Sequence, residues 1–440
     1  MTPKHPRRRL REIAPPFVVA PPAGARVRTR LRVDEADEVM LRLVGTHLGS
    51  LAGGDLARRC SEGRLDAGSR ATSRRERKRA LTAASSSRWA GAITRTSEDA
   101  WQLAMRNLAA EGRSLRARIR RIRQHLSVPV GDRRGRLRGY ATRTERFEQQ
   151  RRLQVLCHRL AEVERRLDEG RVPVVRGGAG LARARHHLED ASMTEQEWQQ
   201  RWAAKRLFVT ADGEKGKALG NETIRLHPDE HWLEVKLPAP LAHLANRPHG
   251  RYRLSRPVAF AHRDGEVAAQ AQSGAIRYDI SFDPRRARWY LDASWKLPEA
   301  EVPSLDELGR HRVLAVDVNA SHLAATVVDP SGNPVGRPVT VPLAPAGLPG
   351  PTRDGHLRQA ISALLGIALA HDCRAVVVEN LDFAAQREEG REHSGRRPSR
   401  GGRGKSFRRL VTGIPTARFR DRLVQMAANA GLAGVSWLSV

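Results

Sequence analysis

The sequence predicts a multidomain α+β protein, in which an N-terminal β-barrel-like domain with a basic helical insertion precedes an α/β domain. Three observations support this fold class. The chain has 440 residues, which exceeds the size of one ordinary hydrophobic core. Hydrophobic residues follow a helical period from about 74 to 206 and a period of two from about 207. From 311 onward the pattern predicts the element order β-β-β-α-β-α-β, which is typical of an α/β domain.

Arginine dominates the charge of the chain. The formal net charge is +30, and eight of the 78 basic residues are lysine, which leaves 70 arginines. The guanidinium group offers a planar fork of donors that matches phosphate oxygens. A polyanion would absorb so large a positive charge, so we expect nucleic acid as the partner. No segment reaches 18 consecutive apolar residues, so no membrane partner is expected, although an anionic membrane surface is the weaker alternative.

Cysteine usage and the N-terminus indicate a reducing compartment. Cys60, Cys157 and Cys373 lie far apart, and no C-x-x-C pair occurs. This pattern predicts neither a disulfide framework nor a zinc site. The first residues, MTPKHPRRRLREIAPP, are basic but lack the apolar core of a secretory signal, so we expect a cytoplasmic location.

Two stretches, 25–73 and 207–300, are predicted to form the β domain. Residues 1–24 before it are basic and rich in proline, and we expect a flexible arm. Apolar residues and arginines alternate over 27–33, as in a strand with one basic face, and Asp34 is placed to cap the following helix. Two hairpins are expected around the turns at Pro228-Asp229 and Pro284–Arg286. The strand at 27–33 is expected to join their sheet.

The helical insertion is predicted over 74–206. Apolar residues at spacings of three and four over 115–126 and 153–167 predict two amphipathic helices, packed on each other and joined by 127–145. Arginines crowd the first helix, which favours phosphate contacts; a solvated hairpin whose arginines serve solubility is the alternative. Most tryptophans are expected in cores, but Trp89 lies in a polar context where it can stack on a base. The candidate nucleic-acid contacts here are Arg77, Lys78, Arg88, Trp89, Arg116 and Arg120.

The α/β domain, 311–440, follows a linker at Pro298–Leu308. Strands are predicted over 312–318, 322–329 and 335–341, a helix over 353–371, a strand over 375–378, a helix over 416–430 and a last strand over 433–440. This is the element order of an RNase H-like domain.

Two carboxylates follow strands of this domain. Asp317 ends the first strand and Glu379 ends the fourth. If these strands are neighbours, both acids emerge at one edge of the sheet, where two or three carboxylates can hold a pair of Mg²⁺ ions about 4 Å apart. Oxygen ligands favour Mg²⁺ or Mn²⁺ over zinc. Either acid alone is more typical of a turn or a cap, and their matching positions favour catalysis.

Three segments of this domain resemble the TnpB (OrfB-type) proteins of bacterial insertion sequences. They are AVDVNASHLAATVVDPSGNPVG and AVVVENLDF, similar to the first and second RuvC motifs of that family, and GRGKSFRRLVTGIPTARFRDRLVQMA, similar to the lid and helix that follow. TnpB proteins are RNA-guided DNA endonucleases of transposable elements and are similar to type V CRISPR effectors. The two upstream regions match, more loosely, the wedge and recognition domains of the family in position.

The resemblance implies a RuvC-type nuclease domain at 311–440 with Asp317 and Glu379 as catalytic metal ligands. It also implies guide RNA and target DNA as partners, Mg²⁺ or Mn²⁺ as the cofactor, and a location at the bacterial nucleoid. In such systems base pairing reads the target sequence, whereas the protein reads backbone shape and a short adjacent motif.

The sequence departs from the family pattern at its C-terminus. The family places a third carboxylate directly after a strand like GVSWLSV, with a C-x-x-C zinc ribbon nearby, whereas this sequence ends on the strand at Val440. Asp382 and Asp421 are the nearby acids that we considered as substitutes. Asp382 is close enough in sequence to lie beside the metal ligands, and Asp421 is expected at the surface. We therefore expect a domain truncated at its C-terminus, with weaker metal binding and a lower rate.

A basic loop is predicted over 386–413. From Arg391 to Arg409 it holds eight basic residues against one acid, Glu392. Such a loop is expected either as a lid that orders on nucleic acid or as a solvated segment. The candidate nucleic-acid contacts in it are Arg396, Arg397, Arg403, Lys405, Arg408 and Arg409.

Three functions remain open at this point. The first is an RNA-guided, metal-dependent DNA endonuclease. The second is a catalytically inactive remnant that binds RNA and DNA without cleaving them, which the missing third aspartate favours. The third and least favoured is a transposase that joins strands itself, because no residue pattern specifies a strand-transfer nucleophile.

Overall fold

The structure, a computed structural model, describes residues 16–135, 137–319, 321–343, 348, 350–379 and 416–437. The chain divides into two compact units. One comprises Met1–Ala23 with Leu297–Val440, and the other is Gly24–Lys296. Within the described residues no helix is both long enough and apolar enough to cross a lipid bilayer.

Runs of strands and runs of helices follow one another along the described residues. The strands are Phe17–Val19 (β1), Gly24–Leu31 (β2), Arg133–Arg134 (β3), Leu137–Arg138 (β4), Thr210–Ala211 (β5), Ile224–His227 (β6), Trp232–Lys236 (β7), Arg251–Arg253 (β8), Arg277–Asp283 (β9), Arg288–Lys296 (β10), Val313–Val318 (β11), His322–Val328 (β12), Pro334–Pro342 (β13), Ala375–Glu379 (β14) and Ala433–Trp437 (β15). The helices are Glu35–Glu62 (α1), Ala67–Thr82 (α2), Ser87–Leu126 (α3), Arg143–Glu169 (α4), Ala179–Ala184 (α5), Glu195–Arg206 (α6), Asp264–Ser273 (α7), Leu305–Leu308 (α8), Gly350–Ala370 (α9) and Thr416–Asn429 (α10).

A six-stranded sheet organises the unit that contains the C-terminal part of the chain. Its strand order is β1-β15-β14-β11-β12-β13. β11 runs parallel to β14, which runs parallel to β15, while β12 and β13 continue from β11 as antiparallel neighbours. The predicted element order over 311–440 is confirmed for these strands and for α9 and α10.

The two faces of this sheet are covered differently. On one face, Leu314, Val316 and Val318 of β11 pack with α9 and with Phe419 and Leu423 of α10 in one buried cluster. The alternate residues of the strands point the other way, since successive side chains of a strand lie on opposite faces. There a smaller cluster includes Leu308 of α8 with strand residues of β14 and β15. The helices α9 and α10 therefore do not cover the face of the sheet that carries Asp317.

The N-terminal arm is corrected by the structure. The flexible arm was predicted over 1–24, but Phe17–Val19 pairs antiparallel with β15, with Phe17 opposite Ser436 and Val19 opposite Gly434. The apolar triplet FVV gives the chain a short strand that covers the open edge of β15. Residues 1–15 lie outside the described residues.

In the described residues of the unit Gly24–Lys296, two sheets of three or more strands lie beside the helices, in addition to the two-stranded ribbon β3-β4. The four-stranded sheet has the order β2-β10-β9-β5, and the three-stranded sheet has the order β6-β7-β8. Both predicted hairpins are confirmed, as β6–β7 and β9–β10. The strand predicted at 27–33 pairs with β10, so it joins the sheet of the second hairpin. Among the strand pairings of the described residues none closes these sheets into one barrel.

The helices follow the apolar spacing of the sequence. Asp34 caps α1 and forms a capping box with Asp37, as its position before the apolar residues predicts. The predicted hairpin is formed by α3 and α4, whose buried contact includes Leu115, Ile119, Ile122, Leu156 and Val163. The connection between them contains the short ribbon β3–β4.

Candidate metal centre and nucleic-acid contacts

Asp317 lies near the C-terminal end of β11, on the face opposite α9 and α10. Its neighbours in sequence, Val316 and Val318, are buried, whereas Asp317 itself is exposed. The side-chain amide of Asn319 donates a hydrogen bond to Asp317 Oδ2 at 2.9 Å. The backbone N–H of Asn319 also donates to the carbonyl of His322 at 3.0 Å, within the turn between β11 and β12. Asn319 therefore orients the carboxylate and holds the turn that follows it.

Glu379 ends the neighbouring parallel strand. Val316 of β11 pairs with Val378 of β14, so Asp317 and Glu379 each follow a paired valine by one residue. Neighbouring strands lie about 4.8 Å apart, which places the two backbone positions side by side. Position 379 shares the face of Val377 by the period of two, as Asp317 shares that of Ala315. The prediction that these strands are neighbours with both acids at one edge is confirmed for the backbone; the side chain of Glu379 lies outside what the structure describes.

The surroundings of Asp317 fit a cation bound by oxygen. Ala324 of β12 lies opposite Asp317 in the antiparallel register, and Ala315 precedes it on the same face. These small side chains leave the carboxylate open, and Asn319 engages one of its two oxygens. An exposed carboxylate with an adjacent acid position suits Mg²⁺ or Mn²⁺. Across the described residues, however, no group of three His, Cys, Asp or Glu side chains is arranged to hold a metal ion.

The two acids considered as a third ligand differ in what the structure shows. Asp421 lies on α10 with its side chain 75% exposed and 3.9 Å from the Arg420 guanidinium. Because α10 packs on the face opposite Asp317, Asp421 cannot complete this site, and the expectation of a surface position is confirmed. Asp382 lies outside the described residues.

Arg77 was predicted to contact nucleic acid, and this prediction is wrong. Its guanidinium is 1% exposed and forms hydrogen bonds of 2.8 and 2.9 Å with both carboxylate oxygens of Asp55. Glu62 and Glu98 lie 3.8 and 3.9 Å away. Arg77 thus serves as the cation of a buried network that joins α1, α2 and α3, where a phosphate cannot reach it.

Trp89 is corrected in the same way. It is fully buried, and its indole Nε1–H donates to the backbone carbonyl of Lys236 at 2.9 Å. The serines before it, which suggested a polar context, include Ser86, whose side chain caps α3 and accepts a hydrogen bond from the N–H of Trp89. The polar context is that of a helix start, and the indole belongs to the core.

The remaining candidates of the insertion lie at or near the surface. Arg88 is 36% exposed and bonds both Glu214 and Glu222 at 2.6 Å. Lys78 is half-buried, with its Nζ near Gly91. Arg116 is half exposed and pairs with Glu164 of α4 at 2.7 Å, and Arg120, one turn further along α3, is exposed. Arg116 and Arg120 therefore line one open groove between α3 and α4, together with Arg123.

Comparison with protein-family models and with curated proteins finds no match for this chain. The functional reading therefore depends on the residues and on their placement in the fold.

The candidates of the basic loop lie outside the described residues. These are Arg396, Arg397, Arg403, Lys405, Arg408 and Arg409. One contributing residue escaped the sequence reasoning, namely Asn319 as the hydrogen-bond donor to Asp317. Its signal is the spacing D-x-N at the end of a strand, where a short amide side chain reaches back two residues.

Proposed function

We propose that this chain is a TnpB-like, RNA-guided DNA endonuclease that hydrolyses phosphodiester bonds with the help of divalent metal ions. The observation that carries the proposal is the register of β11 and β14. Two parallel neighbouring strands carry Asp317 and Glu379 at matching positions near their C-terminal ends, in the two segments that resemble RuvC motifs. The net charge of +30 supports nucleic acid as the partner.

Asp317 and Glu379 would hold the metal, with their carboxylate oxygens as ligands. A bound Mg²⁺ or Mn²⁺ would supply charge stabilisation at the phosphate and a more acidic water. The role of Asn319 is to keep the Asp317 carboxylate in one orientation through its side-chain amide. The backbone of Asn319 is itself fixed by its hydrogen bond to His322 in the turn between β11 and β12. The open face around Ala315 and Ala324 leaves space in which a phosphodiester can approach the carboxylate.

A second candidate is a protein that binds RNA and DNA without cutting them. The observation that favours it is that, among the described residues, no group of three His, Cys, Asp or Glu side chains is arranged to hold a metal ion. Two carboxylates bind a metal pair more weakly than three, since each ligand adds charge and fixes geometry.

Plasmid cleavage separates the two candidates. The chain would be co-expressed with the RNA transcribed from its own flanking DNA, purified, and mixed with a supercoiled plasmid that carries the matching target. With Mg²⁺ or Mn²⁺ we expect linear product, and none after EDTA treatment. Asp317→Asn keeps the shape of the side chain but removes its charge, so cleavage should fall by more than about a hundredfold while RNA still co-purifies.

The matched control is Asp421→Asn, which removes an exposed carboxylate from the same unit. It should cut at the wild-type rate. Equal cleavage by Asp317→Asn and wild type would refute the metal-ligand assignment. A wild type that retains RNA and target DNA but leaves the plasmid supercoiled with either metal would establish the binding-only function instead.

A further inference from the structure

The three-stranded sheet β6-β7-β8 has one apolar face and one cationic face. Ile224 and Leu226 of β6 and Leu233 and Val235 of β7 are buried in the core. The residues that alternate with them lie on the other face. They are Arg225 and His227 of β6, Trp232, Glu234 and Lys236 of β7, and Arg251 and Arg253 of β8. The register brings them together, since Arg225 and Arg253 both lie opposite Glu234, and Arg251 lies opposite Lys236.

Cations on this face outnumber carboxylates four to one, with histidine counted as neutral. The single carboxylate, Glu234, is used by Arg253, whose Nε and Nη2 donate to Glu234 Oε1 at 3.0 and 2.9 Å. Arg225, Lys236 and Arg251 therefore remain as excess positive charge. Glu222, which borders the face near Arg251, is itself 2.6 Å from the Arg88 guanidinium.

Two guanidiniums on this face have buried N–H donors without an acceptor. Arg251 is 9% exposed, and its Nη2 donates to the carbonyl of Glu222 at 2.6 Å. Within the described part of the chain, Arg251 Nη1 and Arg225 Nε are buried and have no hydrogen-bond acceptor. Burial, and then the neighbouring Arg225 charge, lower the pKa of Arg251, whereas the carboxylates of Glu234 and Glu222 oppose this shift without cancelling it. Buried donors without acceptors are costly, and an anion placed between them would remove that cost.

An aromatic ring lies on the same face. Trp232 is partly exposed, and the guanidinium carbon of Arg253 lies 5.7 Å from its ring centroid. Trp232 and Lys236 are four residues apart on β7, a span of about 13 Å in a strand. Proteins that bind single-stranded nucleic acids combine cationic groups with an accessible aromatic ring, so that phosphates lie on the cations and a base on the ring. The cations and the partly exposed indole of this face offer that combination.

We propose that the cationic face of β6-β7-β8 binds a single strand of nucleic acid, with a phosphate between Arg225 and Arg251 and a base against Trp232. The proposal rests on the nucleic-acid-binding part of the function proposed above and is independent of cleavage. A strand is favoured over a small free anion because the charge extends along β7 and β8 and ends beside an aromatic ring. RNA and DNA share the phosphate and the base plane, so both are tested.

Binding would be measured by fluorescence anisotropy in EDTA, with a labelled 20-nucleotide RNA and with DNA of the same sequence. Arg225→Gln removes one phosphate contact, so affinity at fixed salt should fall about tenfold, as expected for a charge-assisted hydrogen bond. The slope of log Kd against log salt should decrease by about one. Trp232→Leu should weaken binding by about tenfold with little change in that slope.

The matched control is Arg165→Gln on α4, which removes the same charge from an exposed position that pairs with Glu162 and Glu169. Its affinity should change less than about twofold. If Arg225→Gln weakens binding of both RNA and DNA, the face binds single strands of either kind. If it weakens binding of RNA alone, the face is specific for RNA. Equal behaviour of Arg225→Gln and Arg165→Gln would overturn the proposal, as would weakened binding of tripolyphosphate with unchanged binding of both oligonucleotides.

A second measurement uses the unaltered protein and so does not depend on the folding of a variant. RNA that contains 4-thiouridine would be crosslinked to the wild type, and the crosslinked peptides identified by mass spectrometry. Crosslinks are expected within 224–236 or 251–253. Crosslinks that all fall elsewhere contradict the proposal. Asp317→Asn should crosslink in the same way, so a failure here is separable from a failure of the nuclease assignment.

Discussion

Arg77 and Arg120 lie on helices of the same unit, yet their side chains have opposite environments. Arg120 is exposed beside the groove of α3 and α4, whereas Arg77 is enclosed with Asp55. Removing one partner of a buried ion pair leaves the other charge without compensation. We therefore expect Arg77→Met to lower the free energy of unfolding by about 3–5 kcal/mol, measured by urea denaturation.

Arg79→Met serves as the control, because Arg79 lies on the same helix and is exposed. Its effect on stability should stay within about 0.5 kcal/mol. If Arg77→Met proved as stable as Arg79→Met but bound RNA more weakly, the buried role would be wrong and the original prediction right.

Sequence reasoning could not separate Arg77 from Arg79, because both lie in the run RRERKR and have the same local composition. The acid that pairs with Arg77 lies 22 residues away, on another helix. Only the packing of α1, α2 and α3 brings them together. The same limit applies to Trp89, whose hydrogen-bond acceptor is 147 residues away.

At the scale of elements, Gly45 and Gly49 of α1 lie close to the C-terminal end of α6 and the segment that follows it. The N–H of Phe208 donates to the carbonyl of Gly45 at 2.9 Å. A Cβ added at Gly49 would lie 2.2 Å from the carbonyl oxygen of Arg206, whereas one added at Gly54 would have nothing within 4 Å. We expect Gly49→Ala to destabilise the protein by about 1–3 kcal/mol, since the backbone of 206 must move.

Gly54→Ala is the matched change on the same helix, and it should stabilise the protein by up to about 1 kcal/mol through helix propensity. Thermal unfolding of the two variants should therefore shift in opposite directions. Two shifts of the same sign would show that the close approach at Gly49 does not constrain the packing.

Period and turn chemistry sufficed to predict most elements, because each depends on residues close in sequence. The helix of 35–62, the two hairpins and the strands that carry Asp317 and Glu379 were all predictable in this way. β1 was not, because three apolar residues form a strand only when an edge such as β15 is available. The cationic face of β6-β7-β8 was within reach, since alternation alone separates Arg225 from Ile224, but its unpaired donors required the structure.

At the scale of the whole molecule, the charge of +30 sets how the protein responds to acid. The chain has 48 carboxylates, and each one that binds a proton adds to the positive charge. Self-repulsion therefore grows as the pH falls, and salt or nucleic acid should oppose it. Superimposed on this general effect are individual carboxylates that the fold holds in their charged form.

Glu98, Glu234 and Asp292 are such carboxylates, in three parts of the unit Gly24–Lys296. Burial raises the pKa of each, but hydrogen bonds from arginine, together with nearby positive charge, lower it by more, so each pKa lies below its usual value. A lowered native pKa contributes stability above the unfolded pKa, and this contribution is lost as the pH falls through the native value. The unit should therefore lose stability below about pH 4.5, the usual value for glutamate.

Glu98→Gln tests this linkage. Without the carboxylate, unfolding takes up one proton fewer at Glu98, so the slope of unfolding free energy against pH below about 4.5 should decrease by up to about 1.4 kcal/mol per pH unit. Stability at pH 7 should also fall by about 3 kcal/mol, because the buried Arg59 loses its charged partner. Tryptophan fluorescence during urea titrations from pH 7 to 3 measures both. Asp99→Asn, on an exposed neighbour in α3, should keep the wild-type slope; an unchanged slope in Glu98→Gln would show that its proton uptake does not govern acid unfolding.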